Sequence, residues 1–162
     1  MEEIPYLLIA WHSRTGTAEA MARAIAAGAG DVARCVSVPY VTAEDMLAAE
    51  AYVFVCPENL GTMSGLMKEM FDRTYYPALG RIEGRAYATA IAAGSDGTGA
   101  QRDIDRIVTG WRLKRVAEPM IVNTAAQTPE RIMAAKSCPP AALARCEELG
   151  AALAEGLRMG VF

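Results

Sequence analysis

Uninterrupted apolar stretches alternate along the chain with stretches in which apolar residues recur every three or four positions. The runs Tyr6–Ala10, Ala51–Cys56 and Ala86–Ala93 are almost wholly apolar, which is typical of parallel strands that helices cover on both faces. Two shorter or more polar runs, Cys35–Val38 and Val116–Val122, complete a set of five predicted strands. A proline within the last run indicates that this strand lies at an edge of the sheet.

Each predicted strand is followed by a segment with helical spacing. Thr42 and Ser64 are suitable N-cap residues for the second and third helices, and Pro140 suits the first turn of the last helix. Gly28 and Gly30 stand where the first helix is expected to end. The apolar residues expected to face the core are Met21, Ala24 and Ile25, then Met46 and Leu47, then Leu66, Met67, Met70 and Phe71, then Ile104, Ile107, Val108 and Trp111, and finally Leu143, Cys146, Leu149 and Leu153.

The repeated alternation of strand and helix predicts an α/β fold with one parallel sheet and right-handed crossovers. The chain has 162 residues without a linker or an internal repeat, so residues 1–162 are expected to form one domain. The segment 123–139 is the least regular part, and a short helix is expected near residues 128–135.

Composition and charge argue against several classes of function. The net charge is -3, whereas nucleic acids and anionic membranes are bound by basic surfaces. Four cysteines without a CxxC pair and one histidine do not supply a zinc site. No apolar run reaches the roughly 18 residues of a membrane span, and Met1-Glu2-Glu3 lacks the basic start of a signal peptide. Scattered thiols suit a reducing compartment, so we expect a cytoplasmic protein without a metal site.

A short polar loop leads from the first strand into the first helix. This first loop comprises Ser13, Arg14, Thr15, Gly16, Thr17 and Ala18. The start of a helix has unpaired N–H groups and a partial positive charge, the hydroxyls add donors, and the glycine lets a ligand approach the backbone. This combination is typical of a site for a phosphate monoester, with an ordinary helix N-cap as the alternative.

Other phosphate-binding motifs are absent from the sequence. No Gly-Lys-Ser/Thr triplet stands where a Walker A loop needs one. Gly28 and Gly30 lie at a helix end, and Ala33 stands where the dinucleotide fingerprint needs its third glycine. No cysteine is followed six residues later by arginine, as in thiol phosphatases, and the third strand ends in Cys56-Pro57 without an aspartate that would accept a phosphoryl group.

Two further loops follow the third and fourth predicted strands. The second loop begins where Pro57 is expected to stop the strand, and it comprises Pro57, Glu58, Asn59, Leu60, Gly61, Thr62, Met63 and Ser64. Its amide groups and apolar side chains suit a flavin ring, and Gly61 tolerates a positive φ. The third loop comprises Gly94, Ser95, Asp96, Gly97, Thr98 and Gly99, and its small residues permit close approach of a ligand. Plain turns are the alternative, but ligands of open α/β sheets bind where such loops meet.

The first two loops resemble those of the flavodoxin-like superfamily. Ser13, Thr15 and Gly16 match the phosphate-loop pattern Ser/Thr-x-Thr-Gly-x-Thr, and Ala18 replaces its last threonine, so one hydroxyl is missing. The P-x-x-x-G-x-M-S-G stretch of NAD(P)H:quinone oxidoreductases and NAD(P)H-dependent FMN reductases is matched by Pro57, Gly61, Met63, Ser64 and Gly65. The resemblance implies a three-layer αβα sandwich with five parallel strands in the order 2-1-3-4-5. It also implies noncovalent FMN, with its phosphate at residues 13–18 and its ring at residues 57–63 and 94–99.

The same resemblance implies a redox function in which the protein binds and orients FMN. An oxidoreductase would use NADH or NADPH as donor and a quinone or another small molecule as acceptor. A one-electron carrier, the alternative, needs a shielded ring and an acidic docking face. Residues 58–64 and 94–99 contain no aromatic side chain to stack on the ring, and the net charge of -3 is mild, so the oxidoreductase is favoured. A flavin-free binding module is a third interpretation, which Ala18 leaves open because one phosphate hydroxyl is missing. The sequence assigns no catalytic residue. It is compatible with a homo-oligomer.

Single residues near these loops have two interpretations each. His12 would contact the phosphate or ribityl chain, although a lone histidine at a strand end is more often structural. Arg14 faces either the phosphate or solvent. The candidates for contact with nicotinamide, substrate or a neighbouring subunit, with structural roles as the alternative, are Asp96, Gln101, Tyr75 and Tyr76.

Overall fold

The computed structural model describes residues 4–162, so the acidic start Met1-Glu2-Glu3, from which we expected no signal peptide, lies outside the described residues. The strands are β1 (Leu7–Trp11), β2 (Ala33–Ser37), β3 (Ala51–Asn59), β4 (Thr62–Met63), β5 (Ala86–Ala93), β6 (Lys114–Arg115) and β7 (Met120–Asn123). The helices are α1 (Thr17–Ala29), α2 (Ala43–Ala48), α3 (Gly65–Ala78), α4 (Thr98–Gly110), α5 (Pro129–Met133) and α6 (Pro140–Met159). None of the helices over residues 4–162 combines the length and the apolar character that crossing a lipid bilayer requires.

The parallel strands follow the order β2-β1-β3-β5, and both β6 and β7 pair with the far side of β5. Because β6 and β7 form one interrupted edge strand, the predicted order 2-1-3-4-5 is confirmed. The prediction of a continuous strand over Val116–Val122 is wrong, since the ladder breaks between Arg115 and Met120. Pro119 lies in this gap, and a proline has no N–H to donate to a ladder.

Two apolar layers, one on each face of the sheet, form the core. Leu7 and Ile9 point to the layer beneath α1 and α6, whereas Leu8 and Ala10 point to the layer beneath α2, α3 and α4. This alternation along β1 explains why the strand is apolar at every position. The predicted three-layer sandwich is therefore confirmed, and the loops after β1, β3 and β5 lie at one edge of its sheet.

The helix predictions hold with local corrections. Thr42 caps α2 through a reciprocal capping box with Asp45. Ser64 precedes α3 at the predicted position, but its side chain makes no capping hydrogen bond. Leu66 was expected to face the core and is instead 46% exposed. Leu66 therefore lies outside the buried face of α3, to which its neighbour Met67 belongs.

Helices α1 and α6 cross so closely that glycine is required at the contact. A Cβ at Gly28 would overlap the carbonyl oxygen of Glu147, and a Cβ at Gly150 would overlap that of Ile25. This contact matters for the site, because α1 begins at the first loop.

We expect Gly150→Ala to lower the free energy of unfolding by about 1–3 kcal/mol, because the added methyl forces α1 and α6 apart. Gly65→Ala is the matched control: Gly65 begins α3, and a Cβ there meets no atom within 4 Å. The control should be stabilised by about 0.4–1 kcal/mol through a smaller loss of backbone entropy. Urea denaturation of both variants measures these differences, and equal stabilities would contradict the described crossing.

Candidate functional site

The three predicted loops border one cleft at the carboxyl edge of the sheet. Its volume is about 710 Å³, within the range of about 300–1,000 Å³ that is usual for small-molecule sites. The predicted residues that line it are Ser13, Arg14, Thr15, Thr17, Ala18, Pro57, Glu58, Asn59, Leu60, Gly61, Gly94 and Ser95. The predicted residues outside the lining are Gly16, Thr62, Met63, Asp96, Gly97 and Gly99. The structure thus brings the loops together, while a ligand contact for each residue stays a prediction.

The first loop, which lines the cleft, has several backbone N–H donors without an acceptor in the described part of the chain. Gly16 has a φ of +124°, and its N–H donates to Ser13 Oγ at 3.1 Å. The N–H groups of Arg14, Thr15, Thr17 and Ala18 have no acceptor within the described part of the chain. Such a cluster at the start of a helix is an anion-binding arrangement.

Residues 124–139, which we call the strap, pass over the first loop and close one side of it. The N–H of Lys136 donates to the Thr15 carbonyl at 2.7 Å. The Thr17 hydroxyl donates to the Ser137 carbonyl at 3.4 Å, so this hydroxyl is turned away from a ligand. The Lys136 carbonyl lies so close to Gly16 that a Cβ there would overlap it. The first loop therefore needs glycine for contact with the strap as well as for its φ.

Positive charge concentrates at the same end of the cleft. The Lys136 ammonium lies 3.3 Å from Thr15 Oγ1 and lines the cleft, as does Arg14. Within residues 4–162, neither cation forms an ion pair with a carboxylate. Two cations and a set of free N–H groups favour a bound anion.

The second loop is a tight hairpin, which corrects the prediction that Pro57 stops the third strand. Strand β3 continues to Asn59 and pairs antiparallel with β4. Leu60 and Gly61 form the turn, with φ values of +53° and +76°. A positive φ at both central residues is what a type I′ hairpin turn requires, and Leu60 is fully exposed at its tip.

The hairpin is fixed to the start of α4. The Glu58 carboxylate accepts the N–H of Gly97 at 2.9 Å and the N–H of Ala100 at 3.1 Å. The Thr62 hydroxyl donates to Asp103 at 2.7 Å. Glu58 also lines the cleft. Its carboxylate, however, interacts with the N–H groups at the start of α4 and neutralises the partial positive charge there.

The third loop is similarly held from behind. Asp96 accepts from the hydroxyl of Thr98 at 2.8 Å. Asn123 donates to the Ser95 carbonyl at 2.5 Å, and Gln127 of the strap donates to the Gly94 carbonyl at 3.2 Å. These bonds leave the small-residue backbone of 94–95 facing the cleft.

Gln101, Tyr75 and Tyr76 lie away from the cleft lining. The Gln101 amide is buried and pairs with Thr89 at 2.7 Å. Tyr75 stacks on Trp111 with ring centroids 5.4 Å apart, whereas Tyr76 is exposed. Their contacts favour the structural alternatives.

Comparison with known families identifies the kind of protein to which this cleft belongs. The model of the NADPH-dependent FMN reductase family matches residues 35–126, more than half of the chain. The chain is a member of this FMN reductase family. The resemblance to flavodoxin-like, FMN-binding proteins is thereby confirmed. The match includes the hairpin and the third loop, whereas the first loop and most of the strap lie outside it.

Individual relatives agree with this membership. A flavodoxin from Aquifex aeolicus (strain VF5) is 32% identical over 97 residues, which cover 57% of this chain and 52% of that protein. The chain thus spans about half the length of the curated relative that it matches.

Solved structures confirm the flavodoxin-like fold. An archaeal flavodoxin has a TM-score of 0.75 at 18% identity, covering 94% of this chain and 99% of that one. A WrbA-like flavodoxin from Agrobacterium tumefaciens has a TM-score of 0.76 at 16% identity, covering 96% and 98%. A flavone reductase has a TM-score of 0.70 at 18% identity, covering 95% of this chain and 63% of that one.

The strap is the part of the site that sequence reasoning missed in this FMN reductase family member. It contributes Thr124, Ala126, Ile132, Met133 and Lys136 to the cleft lining. Ile132 and Met133 are 53% and 73% exposed. The sequence signal that could have indicated this contribution is the apolar pair Ile132 and Met133, followed by Lys136, in an otherwise irregular segment.

His12 holds the first loop against the start of α3. Its Nδ1 lies 2.8 Å from Ser64 Oγ. Burial, and secondarily the charge of Arg14, lowers the pKa of His12 below its usual value. Beside it, burial raises the pKa of the Cys56 thiol to about 12, which agrees with a packing role. His12 lies outside the cleft lining, so its position favours the structural interpretation.

We expect the free energy of unfolding to fall as the pH is lowered through about 6.5, where an unfolded histidine takes up its proton. The folded state binds that proton only at lower pH, so acid favours unfolding, and the contribution is regained as the pH rises. His12→Asn retains a polar partner for Ser64 and should lose this component. Denaturation at several pH values measures this component. The same pH dependence in both proteins would contradict a lowered pKa of His12.

We expect Glu58→Ala to lower the free energy of unfolding by about 1–2 kcal/mol, because two N–H groups of α4 lose their acceptor. Glu83→Ala, at the opposite edge of the sheet, is the control and should change it by less than about 0.5 kcal/mol. Denaturant titration distinguishes the two. A loss of ligand affinity in Glu58→Ala without any loss of stability would contradict the capping role.

Proposed function

We propose that the chain is an FMN-binding, NAD(P)H-dependent oxidoreductase that reduces a quinone or a similar small acceptor. The observation that carries this proposal is a cleft whose first loop has N–H groups without an acceptor and whose lining residues include no aromatic side chain among those described. When bound, FMN would accept hydride from the reduced nicotinamide and pass two electrons to the acceptor.

The phosphate would lie against residues 13–18. The free N–H groups of Arg14, Thr15, Thr17 and Ala18 suit its oxygens. Ser13 Oγ accepts from Gly16, so its own hydrogen is still available to donate. The partial positive charge of α1 adds to these donors.

The ring would lie between the hairpin residues 57–61 and the third loop. Leu60 from the hairpin and Ile132 and Met133 from the strap offer apolar contacts. Residues 62–63 and 96–99 would support this arrangement from behind, since they bind the hairpin to α4.

Access to the ring favours two-electron chemistry. The residues that line the cleft include no aromatic side chain among those described. A nicotinamide ring needs an open flavin face, which stacked aromatics would cover. The description of the family as NADPH-dependent FMN reductases and the structural likeness to a flavone reductase support the same proposal.

A one-electron carrier is the second candidate, favoured by the 32% identity to a flavodoxin. A carrier would bind FMN equally well but would not oxidise NADPH unaided.

We further infer that residues 1–162 form one domain and that the protein has a cytoplasmic location. The location is supported by the free thiols at Cys35, Cys56, Cys138 and Cys146.

FMN titration by flavin fluorescence quenching tests the site. Gly16→Ala should weaken FMN by about ten-fold or more, because its Cβ overlaps the strap and displaces several N–H donors. Gly30→Ala is the matched control: it also has a positive φ, but it lies at the other end of α1, and a Cβ there meets no atom within 4 Å. Unchanged affinity in Gly16→Ala would contradict the phosphate assignment.

Turnover tests the reaction. The FMN-loaded protein should oxidise NADPH or NADH when a soluble quinone is present, at a rate proportional to enzyme concentration. FMN binding without nicotinamide oxidation would favour the carrier. Absence of FMN binding would leave the flavin-free module.

A further inference from the structure

Lys136 reaches the first loop from the opposite end of the sequence. Its ammonium lies 2.8 Å from the Ile132 carbonyl, 3.0 Å from the Ala134 carbonyl and 3.3 Å from Thr15 Oγ1. The lysine is half-buried and lines the cleft. Its position is fixed by its own backbone, because its N–H donates to the Thr15 carbonyl.

All three partners of this ammonium are neutral oxygens. Lys68, by comparison, forms an ion pair with Asp72 at 2.6 Å. Within residues 4–162, no carboxylate lies within 4.0 Å of the Lys136 ammonium. A half-buried cation that lacks a counter-ion attracts an anion to its side of the cleft.

The first loop is short of side-chain donors at that place. Ala18 has no hydroxyl, and the Thr17 hydroxyl donates to Ser137 of the strap. Thr15 Oγ1 accepts from Lys136, which directs the hydroxyl hydrogen away from the lysine. The three N–H donors of the ammonium already meet its three neutral oxygen partners, and its contact with Thr15 is the longest of them. A ligand oxygen beside the Thr15 hydroxyl can therefore take over this N–H and accept from both groups.

We propose that Lys136 contacts the phosphate of FMN and makes the site select FMN over riboflavin. This inference rests on the proposed function. In this proposal the charged ammonium of Lys136, which belongs to the strap, takes the place of the threonine hydroxyl that the phosphate-loop pattern has where this chain has Ala18. The competing role for Lys136 is to cap the end of α5, where it contacts the Ile132 carbonyl.

Riboflavin separates these two roles, since it has the ring and ribityl chain of FMN without the phosphate. Lys136→Met should weaken FMN by about ten-fold, the expected effect of a charge-assisted hydrogen bond, and should leave riboflavin affinity unchanged. Lys136→Gln retains N–H donors for the α5 carbonyls without the charge and should show the same selective loss. Lys114→Met, an exposed lysine of β6 near the opposite edge of the sheet, should change neither affinity.

The measurement is a fluorescence titration of the purified, flavin-free full chain at several salt concentrations. The FMN affinity of Lys136→Met and Lys136→Gln should depend less steeply on salt than that of the wild type. Equal losses of FMN and riboflavin in both variants, or no loss of either, would overturn the phosphate contact. If the wild-type protein binds FMN under those outcomes, the proposed function still stands and only the role of Lys136 is wrong. If the wild-type protein binds no FMN, both the proposed function and the role of Lys136 are wrong.

Discussion

One backbone hydrogen bond, from the Lys136 N–H to the Thr15 carbonyl, determines the shape of the end of the cleft where we propose that the phosphate binds. It seats the strap on the first loop at a distance that only glycine at position 16 permits. The Thr15 carbonyl is occupied by this bond, whereas the N–H groups of Arg14, Thr15, Thr17 and Ala18 have no acceptor in the described part of the chain. The strap, which Ser137 and Gln127 also bind to neighbouring loops, thereby brings Ile132 and Met133 to the cleft.

At the other end of the cleft, polar side chains form hydrogen bonds with neighbouring loops and helices of the same chain. Glu58 connects the hairpin to α4, and Asp96 and Asn123 fix the third loop. Loops at the end of a sheet lose their ladder partners, and their buried backbone groups must be satisfied in another way. The polar side chains at this edge meet that requirement, which leaves backbone and apolar atoms to face a ring.

Local pattern was sufficient to predict the strands β1, β3 and β5, because each is buried on both faces. It was also sufficient for the first loop, where hydroxyls and glycine precede a helix. It failed where a residue's role depends on a distant partner. The contact of the Glu58 carboxylate with the start of α4 was not predicted, because its two N–H partners lie about 40 positions further along the chain. The strap was missed because its position comes from hydrogen bonds to residues about 120 positions away and not from any periodicity of its own.

The break between β6 and β7 has a consequence for the sheet as a whole. A long, flat outer strand offers unpaired N–H and C=O groups to other chains, and proteins blunt such strands with proline and short segments. Here the outer strand consists of two pieces of two and four residues, separated by a stretch that contains Pro119. A neighbouring molecule thus finds no continuous template along this side of the sheet, and the same irregularity that obscured the fifth strand in the sequence protects the protein against edge-to-edge aggregation.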